Sequence, residues 1–307
     1  MKRATAFAPA SIGNVAVGFD VLGHSVAGPG DTVTVSLNST GEVRITSIKG
    51  VVTSLPANAA DNTAGRALLH LKRSCDPSLG FDVEIEKGIA LGSGMGGSAA
   101  SAVAAVVAAN ALLDAPLGLE ALYQSAMDGE AAASGSAHGD NVGPMLLGGL
   151  VIAPTSGAAV KVPVPHWLHV ALVHPHFVLE TKTARAVLQG PWQLHDFVVQ
   201  SEGLALFLAG CFQSDASLLR RGLRDVLVEP RRASLIPGFA AVKQAALDAG
   251  AIGASIAGAG PSVFAWFESP EQAEAASVAM AAQFEKAGLK ADRLVSPVNG
   301  PAARVIS

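Results

Sequence analysis

Cysteine is almost absent from this chain of 307 residues, which contains only Cys75 and Cys211, far apart in sequence. Two distant cysteines exclude a disulfide framework and a four-ligand metal site built on cysteine. We expect both to pack as small apolar residues in a reduced cytoplasm, where disulfides are rare.

Charged residues are also scarce, at 15% of the chain against about 25% in average soluble domains. Long hydrophobic runs do not replace them, because every weakly polar stretch falls short of about 18 consecutive apolar residues. The longest are 99–113, 142–154 and 203–212. Lys2 and Arg3 imitate a secretory signal, but the stretch that follows them is too polar and too broken to be one. We therefore expect neither a transmembrane helix nor a membrane partner.

No excess of positive charge is present. The formal net charge is -4, and the scattered basic residues form no footprint for nucleic acid. The length predicts two domains. A stretch rich in Pro, Ser, Gly and Ala near residue 155 is where we place the boundary, which gives domains of 1–155 and 156–307.

Alternating and helical hydrophobic periodicities predict an α+β class, because the strands come in pairs and not in regular βαβ units. The predicted strands are 31–37, 81–86, 168–173 and 262–267. The predicted helices are 64–73, 98–113, 118–134, 183–188, 197–211, 216–226, 238–249 and 270–287.

Glycine, in contrast, is abundant, and it clusters at 13–30, 88–97 and 250–260. We expect tight turns or close backbone approaches there. The run Gly92–Ser98 lies between a predicted strand and an alanine-rich helix, where unpaired amides and the positive end of the helix dipole meet. A strand, a glycine loop and a helix start form a sound phosphate site. Ser98 could cap the helix or meet a magnesium–phosphate group.

This loop has three competing interpretations. Gly92, Gly94 and Gly97 satisfy G-x-G-x-x-G, but the preceding strand alternates polar and apolar residues, whereas a buried parallel strand would be almost wholly apolar. A P-loop would need a lysine where Ser98 stands. A plain tight turn without a ligand stays open on the loop alone.

Two clusters of polar residues are further candidates for binding a ligand, in addition to the loop. Asn14 and Asp20 stand in a small and apolar stretch, where they either cap turns or face a polar ligand. In the second cluster, Glu130 is predicted on a helix of small residues, and His138, Asp140 and Asn141 follow a glycine turn. A carboxylate beside a phosphate loop is a natural Mg²⁺ ligand. His138 taken alone is more often structural than catalytic.

The three glycine clusters together resemble the motifs of the GHMP kinase superfamily, whose third motif is matched here by residues 255–262. Within the superfamily the chain is most similar to the homoserine kinase family along nearly its whole length. The telling segments are 8–23, 138–149, 183–185 and 229–238. The last two supply Arg185 and Arg232 where that family binds the substrate carboxylate, which suits the geometry of guanidinium.

The resemblance implies an N-terminal domain like ribosomal protein S5 domain 2 and a ferredoxin-like C-terminal domain, with the active site between them. It implies phosphorylation of the L-homoserine hydroxyl by ATP, with Mg²⁺, in threonine biosynthesis, and a cytoplasmic protein. We also expect a homodimer.

It further implies roles for individual residues. The loop wraps the ATP phosphates, with cofactor contacts from Ala90, Leu91, Gly92, Ser93, Gly94, Met95, Gly96, Gly97 and Ser98. Asn62 would lie near the adenine, and Ser98 and Glu130 would hold Mg²⁺. The homoserine site would comprise Asn14, Asp20, His138, Asn141, Arg185, Arg232 and Gly258, with Glu130, Asp140 and Asn141 in catalytic roles.

The chain departs from the superfamily in its second motif, where Ala90, Met95 and Gly97 replace the usual proline, leucine and first serine. Gly97 keeps its backbone N–H, so phosphate binding should survive. Asp140 matches an aspartate that other members are thought to use as a base, although homoserine kinases are often described as working without one. Two alternatives stand beside the main interpretation: a kinase for a sugar or isoprenoid alcohol, which would need no arginine pair, and a non-catalytic sensor, which would need no magnesium ligands.

Overall fold

The computed structural model of the chain describes residues 2–134 and 138–307. Its strands are β1 (Arg3–Gly13), β2 (Leu22–Asn38), β3 (Val43–Gly50), β4 (Gly80–Lys87), β5 (Leu150–Ile152), β6 (Val160–Val162), β7 (His169–Pro175), β8 (Gly253–Ile256), β9 (Val263–Phe267), β10 (Ala291–Pro297) and β11 (Arg304–Val305). Its helices are α1 (Thr63–Cys75), α2 (Gly97–Asn110), α3 (Leu119–Ser134), α4 (Gly139–Leu147), α5 (Thr181–Ala186), α6 (Leu194–Gln213), α7 (Ala216–Gly222), α8 (Glu229–Arg232), α9 (Phe239–Asp248) and α10 (Pro270–Lys286).

Two sheets organise the described part of the chain. The first has the strand order β11-β1-β2-β4-β3, and β5 and β6 extend it from β2. The pair β3–β4 is parallel, and the others in this sheet are antiparallel. The second sheet has the order β10-β7-β9-β8 and is antiparallel throughout. The mixture of helices with two largely antiparallel sheets confirms the α+β class.

The predicted boundary near residue 155 stays a prediction. Strands β6 and β11, which come after it in sequence, pair with the first sheet. The second sheet is formed wholly by strands that follow residue 155.

The second sheet is buried on both faces, and one of these faces belongs to the same hydrophobic core as the first sheet. Along β9, Phe264 and Trp266 belong to the large core that surrounds α2. Their neighbours Val263, Ala265 and Phe267 point to the other face, where α9 and α10 cover them. This alternation follows from the two-residue period of a strand.

Helix α2 is the central element of the first core. Its residues from Ala99 to Val106 are all buried, and its hydrophobic character is the same all round. Alanine and valine leave little side-chain bulk, so β1, β2, α1 and α3 can all pack against this helix. The N-terminus of α2 is thereby held rigidly where the glycine loop ends.

The predicted elements are present with small changes of boundary. Helix α7 ends at Gly222 and not at 226, because the Asp225 carboxylate accepts the amides of Leu227, Val228 and Glu229 and forms a turn there. The sequence predicted neither strands β1, β3, β5, β6, β8, β10 and β11 nor helices α4 and α8. Strand β2 begins at Leu22 and not at the predicted residue 31, so half of the glycine cluster at 13–30 is strand β2, and 14–21 form a turn.

The two cysteines behave differently. Both are free thiols, but only Cys211 is buried, whereas Cys75 is exposed at the end of α1. The prediction that both pack inside is therefore wrong for Cys75, because Asp76 ends the helix at the surface. None of the helices in the described ranges combines the length and hydropathy that a bilayer-spanning segment needs.

Candidate active site

The glycine loop leads from β4 into the start of α2. Gly92, Gly94 and Gly96 have φ angles of 61°, 78° and 72°, which residues with a side chain rarely adopt. Gly96 is the N-cap residue of α2, so no side chain covers the amides of the first helical turn. Ser98 lies inside that turn and does not cap it. The loop therefore presents a free helix start of the kind that binds phosphate.

The third glycine cluster, at 250–260, and Ser262 shortly after it contact the loop. Ser262 donates its backbone N–H and its hydroxyl to the carbonyl of Ser93, at 3.3 and 2.6 Å. A Cβ on Gly94 would lie 2.4 Å from the carbonyl oxygen of Ala257. The predicted close backbone approach is thus present, and it joins two glycine clusters that are far apart in sequence.

Glu130 reaches the loop from α3. The Ser98 hydroxyl donates to Glu130 Oε1 at 3.0 Å, and Oε2 is buried without a hydrogen-bond partner among the residues that the structure describes. Burial raises the pKa of Glu130 to about 8, and the nearby Asp140 contributes to this shift. A buried carboxylate with an unsatisfied oxygen beside a phosphate loop fits a bound cation, and Mg²⁺ commonly uses one or two carboxylates together with substrate phosphates.

Asn14 connects three parts of the site through its backbone and side chain. Its N–H donates to Asp140 Oδ2 at 3.0 Å, and its side-chain amide donates to the carbonyl of Gly258 at 2.7 Å. Its Oδ1 accepts the backbone N–H of Asp20 at 3.0 Å. Asn14 and Asp20 both have positive φ angles, which asparagine and aspartate tolerate better than most residues. The first polar cluster therefore faces the others and does more than cap turns.

Asp140 and Asn141 lie in the first turn of α4, next to the loop. The Asn141 amide donates to Asp140 Oδ1 at 3.1 Å, and Ser11 donates its hydroxyl to Asn141 Oδ1 at 2.9 Å. A Cβ on Gly96 would stand 2.8 Å from Asn141 Oδ1, which shows how closely the loop approaches. Burial, followed by the charge of Asp20, raises the pKa of Asp140 to about 7.

Arg185 reaches the same cluster from α5. Its Nη2 donates to Asp20 Oδ1 at 2.6 Å and lies 3.5 Å from His138 Nδ1. Its guanidinium carbon lies 5.4 Å from the centre of the Phe19 ring. These contacts place a partly exposed cation beside an acidic side chain and a histidine.

Arg232, on α8, lies on the same aromatic ring, 5.2 Å from its centre. It is only 2% exposed, and it donates to the carbonyls of Ala184 and Gly258, both at 3.0 Å. Burial and the neighbouring Arg185 lower the pKa of Arg232 to about 10. The two arginines that the sequence predicts in one site are therefore neighbours in the structure.

Three residues that are predicted to contact the nucleotide, Asn62, Ala90 and Leu91, lie outside the run Gly92–Ser98. Asn62 is the N-cap residue of α1, where its Oδ1 accepts the amides of Ala64 and Gly65 and its amide donates to Pro56. Ala90 and Leu91 precede the loop, and Leu91 is exposed. Their contacts with a nucleotide stay predictions.

Sequence reasoning missed a buried ion pair behind the loop. Lys87 Nζ contacts the Asp31 carboxylate and donates to the carbonyl of Gly97 at 2.6 Å and to Ser101 Oγ at 2.9 Å. Asp31 Oδ1 also accepts the amides of Gly88 and Ile89. A signal was available, since Lys87 continues the inward phase of Phe81, Val83 and Ile85 on β4.

The fold, and a glycine loop that lies beside a cluster of polar and charged residues, are those of a class of small-molecule kinases. Two family models match the chain, "GHMP kinases N terminal domain" at residues 62–149 and "GHMP kinases C terminal" at residues 207–286. The chain belongs to the GHMP kinase family, and it has the two-domain fold of that family.

Within this family, the chain has a high sequence identity to homoserine kinases. The chain is 57% identical over 307 residues to a homoserine kinase of Xanthomonas campestris pv. campestris, covering all of this chain and 95% of the relative. It is 58% identical over 304 residues to a homoserine kinase of Xylella fastidiosa strain M12, covering 99% and 94%. The crystal structure of homoserine kinase from Cytophaga hutchinsonii superposes with a TM-score of 0.95 at 43% identity, covering 100% of this chain and 98% of that one.

Proposed function

We propose that the chain transfers the γ-phosphoryl group of ATP to the hydroxyl of L-homoserine, which yields O-phospho-L-homoserine for threonine biosynthesis. The observation that carries this proposal is the position of Arg185 and Arg232 beside Asp20, within the cluster that adjoins the phosphate loop. Two cations and one carboxylate suit the carboxylate and ammonium of an amino acid.

The head-group cluster, which is formed by Asp20, His138, Arg185, Arg232 and Gly258, suits the carboxylate and ammonium of the amino acid. The guanidinium groups of Arg185 and Arg232 would bind the substrate carboxylate. Asp20, which Arg185 contacts in this structure, would bind the substrate ammonium. His138 and Gly258 lie beside these groups and would complete the pocket. A neutral sugar or an isoprenoid alcohol has no group that would need this pairing of charges.

The phosphate end of the site is formed by the loop and the start of α2. The backbone amides of Gly92–Ser98 would bind the phosphates of ATP. Ser98 and Glu130 would hold Mg²⁺, which would neutralise charge on the transferring phosphoryl group. Glu130 would be ionised when it holds the cation, because a metal ligand must be deprotonated. A sensor without catalysis would have no use for a buried carboxylate aimed at the loop.

Asn14, Asp140 and Asn141 lie between the head-group cluster and the loop. Phosphoryl transfer through a loose transition state depends mostly on positioning and charge neutralisation. Asp140 is held by the Asn14 amide and the Asn141 side chain, and Ser11 anchors Asn141. We infer that these residues orient the substrate hydroxyl toward the γ-phosphate and that Asp140 supports this geometry.

One assay tests the proposal. Purified chain is incubated with ATP and Mg²⁺ and, in separate reactions, with homoserine, galactose or mevalonate, and ADP release is measured. We expect release with homoserine and at least 10²-fold less, as an order of magnitude, with the others. Release only with galactose or mevalonate would support the alternative kinases. A lack of release with every alcohol, combined with binding of homoserine, would support the sensor.

A cytoplasmic location and a homodimer also belong to this proposal. Sedimentation of the purified chain across a range of concentrations tests the second of these. A single monomeric species at every concentration would exclude the homodimer.

A further inference from the structure

A large apolar cavity adjoins the head-group cluster, and the proposed reaction makes no use of it. Its volume is about 550 Å³, within the range of roughly 300–1,000 Å³ that is usual for small-molecule sites. Its apolar walls include Phe19, Val21, Trp192, Phe197 and Leu204. Homoserine has polar groups at both ends of a short methylene chain, so it has nothing to place against these walls.

The wall that carries Trp192 is built and held by Arg231. The guanidinium of Arg231 stacks on the Trp192 ring at 3.6 Å. It donates to the carbonyls of Leu188, Gln189 and Pro191 at 3.3, 3.0 and 2.6 Å. Four contacts from one side chain fix this segment, so the wall is already formed without a ligand.

The polar groups around the cavity are not equivalent. Gln200 is used by the backbone, because its amide donates to Val17 and its carbonyl accepts the N–H of Val226. Arg185 also lines the cavity. Its Nε is buried and has no hydrogen-bond acceptor within the described ranges. A ligand in the cavity would therefore meet the accessible part of this guanidinium, whose Nη2 donates to Asp20. Arg185 is the charged side chain of this largely apolar lining.

We propose that this cavity binds a monocarboxylic acid with a bulky apolar body, whose carboxylate contacts Arg185 and whose aryl or branched alkyl group fills the space between Phe19, Trp192 and Leu204. Charge complementarity selects the head group and the apolar walls select the body. Because Arg185 is also proposed to bind homoserine, the acid competes with homoserine and not with ATP. Only this competition rests on the proposed function, and the binding itself does not.

Calorimetry on the purified full chain tests the binding without any assay of activity. The probe is 3-phenylpropionate, with 3-phenylpropan-1-ol as the uncharged analogue and propionate as the analogue without an apolar body. We expect the probe to bind at least about tenfold more tightly than either analogue, since each lacks one of the two recognised groups. Equal binding of the alcohol would overturn the role of Arg185, and equal binding of propionate would overturn the role of the cavity.

Variants locate the site. Leu204→Trp fills the cavity, and we expect it to weaken probe binding by at least about tenfold while the KM for homoserine stays within about threefold. Val198→Trp is the matched control, because Val198 is exposed on the same helix and does not line the cavity. Phe197→Ala is a second variant that should keep the fold, since this side chain is 50% exposed, and it should weaken the probe several-fold. Unchanged binding in both cavity variants would overturn the proposal.

Kinetics then separate this proposal from the proposed function. In the presence of the probe, we expect the apparent KM for homoserine to rise with kcat unchanged and the KM for ATP unaffected. A fall in kcat at saturating homoserine would overturn the shared use of Arg185. Probe binding by a chain that does not phosphorylate homoserine would instead contradict the proposed function and leave the cavity site standing.

Discussion

Two carboxyl groups, Glu130 and Asp140, are buried beside the glycine loop. Burial raises the pKa of Glu130 to about 8 and that of Asp140 to about 7. Each would be ionised in water at neutral pH, so the fold opposes their charges until a ligand compensates them. Such perturbed groups concentrate at functional sites, and these two flank the loop from α3 and α4.

Replacing Glu130 tests its proposed role in holding the cation. Glu130→Gln keeps the shape of the side chain and removes its charge, so we expect kcat to fall by about 10²–10³-fold. The dissociation constant of homoserine, measured by calorimetry without ATP, should stay within about twofold. An equal loss in turnover and in homoserine binding would count against this assignment.

The same variant also tests how the stability of the wild-type chain depends on pH. Between the ordinary pKa of 4.5 and about 8, the folded wild-type chain binds a proton at Glu130 that the unfolded chain has released. Stability therefore falls as the pH rises through this window. We expect Glu130→Gln to be spared this loss, so its melting temperature without ATP or Mg²⁺ should increasingly exceed that of wild type from pH 5 to pH 8. A constant difference would show that Glu130 does not titrate there.

Substitution of Arg185 and of Arg232 should have different effects on the stability of the chain. Arg185→Met removes a partly exposed cation, and we expect the KM for homoserine to rise by about 10²-fold with little change in stability. Arg232→Met should raise that KM too, and it should also cost about 1–3 kcal/mol of unfolding free energy, because the carbonyl of Ala184 loses the Arg232 donor and the carbonyl of Gly258 keeps only Asn14. Urea denaturation and steady-state kinetics measure both effects. Equal stability losses would contradict this division.

At the scale of the element, the glycine loop should tolerate a side chain at Gly97 much better than at Gly94. Gly94 combines a φ of 78° with a backbone oxygen 2.4 Å from any added Cβ. Gly94→Ala should therefore displace the loop and lower kcat/KM for ATP by about 10²-fold or more. Gly97 has helical geometry, and the nearest atom to its Cβ is Ile89 Cγ2 at 3.2 Å.

Gly97→Ser is the matched control for that loss. It introduces the serine usual in the superfamily, and we expect the KM for ATP to stay within about threefold. If both variants lost activity equally, the effect would follow from any side chain in the loop and not from backbone conformation at Gly94.

The pair Lys87–Asp31 ties β2, β4 and α2 together beneath the loop. Lys87→Met would leave the fully buried Asp31 without its countercharge, and we expect a loss of about 3–5 kcal/mol in unfolding free energy. In the double variant Lys87→Met/Asp31→Asn, the uncompensated charge is gone and the amides of Gly88 and Ile89 keep an acceptor. Urea denaturation should show the double variant to be more stable than the single one. The opposite order would mean that the charge on Asp31 is not the cause.

For the whole molecule, the site depends on how the two sheets meet. His24 on β2 is fully buried and accepts the indole N–H of Trp266 on β9 at 3.3 Å, and its Nδ1 lies 3.0 Å from the carbonyl of Ser25. This contact crosses from the first sheet to the second.

Burial lowers the pKa of His24 from 6.5 to about 4. The unfolded chain therefore binds a proton that the folded chain does not, and stability is lost as the pH falls below 6.5. We expect urea denaturation to show a larger loss between pH 7 and pH 5 for wild type than for His24→Gln, by about 1–2 kcal/mol. An identical loss in both proteins would exclude His24 as the source.

Much of the fold could be predicted because its elements carry local signals. The period of two in β4 and the alanine-rich run of α2 identify themselves, and the loop between them follows from its glycines. Helix α4 escaped prediction because Gly143 and Pro144 are poor helix formers, yet tertiary packing overrides that preference. Strand β1 escaped because its small residues alternate weakly, and its pairing with β2 is non-local.

The sequence by itself determined which residue types are available to the proposed site: the glycines of the loop, the carboxyl groups, and an arginine pair that resembles an amino-acid site. These depend on residue type and short spacing. Only the tertiary structure decided that Ser98 bonds Glu130 instead of capping a helix, that Lys87 is neutralised by Asp31, and that an apolar cavity opens beside Arg185. Each of these is a contact between segments far apart in the chain, and such contacts are set by how buried faces pack and not by any local pattern.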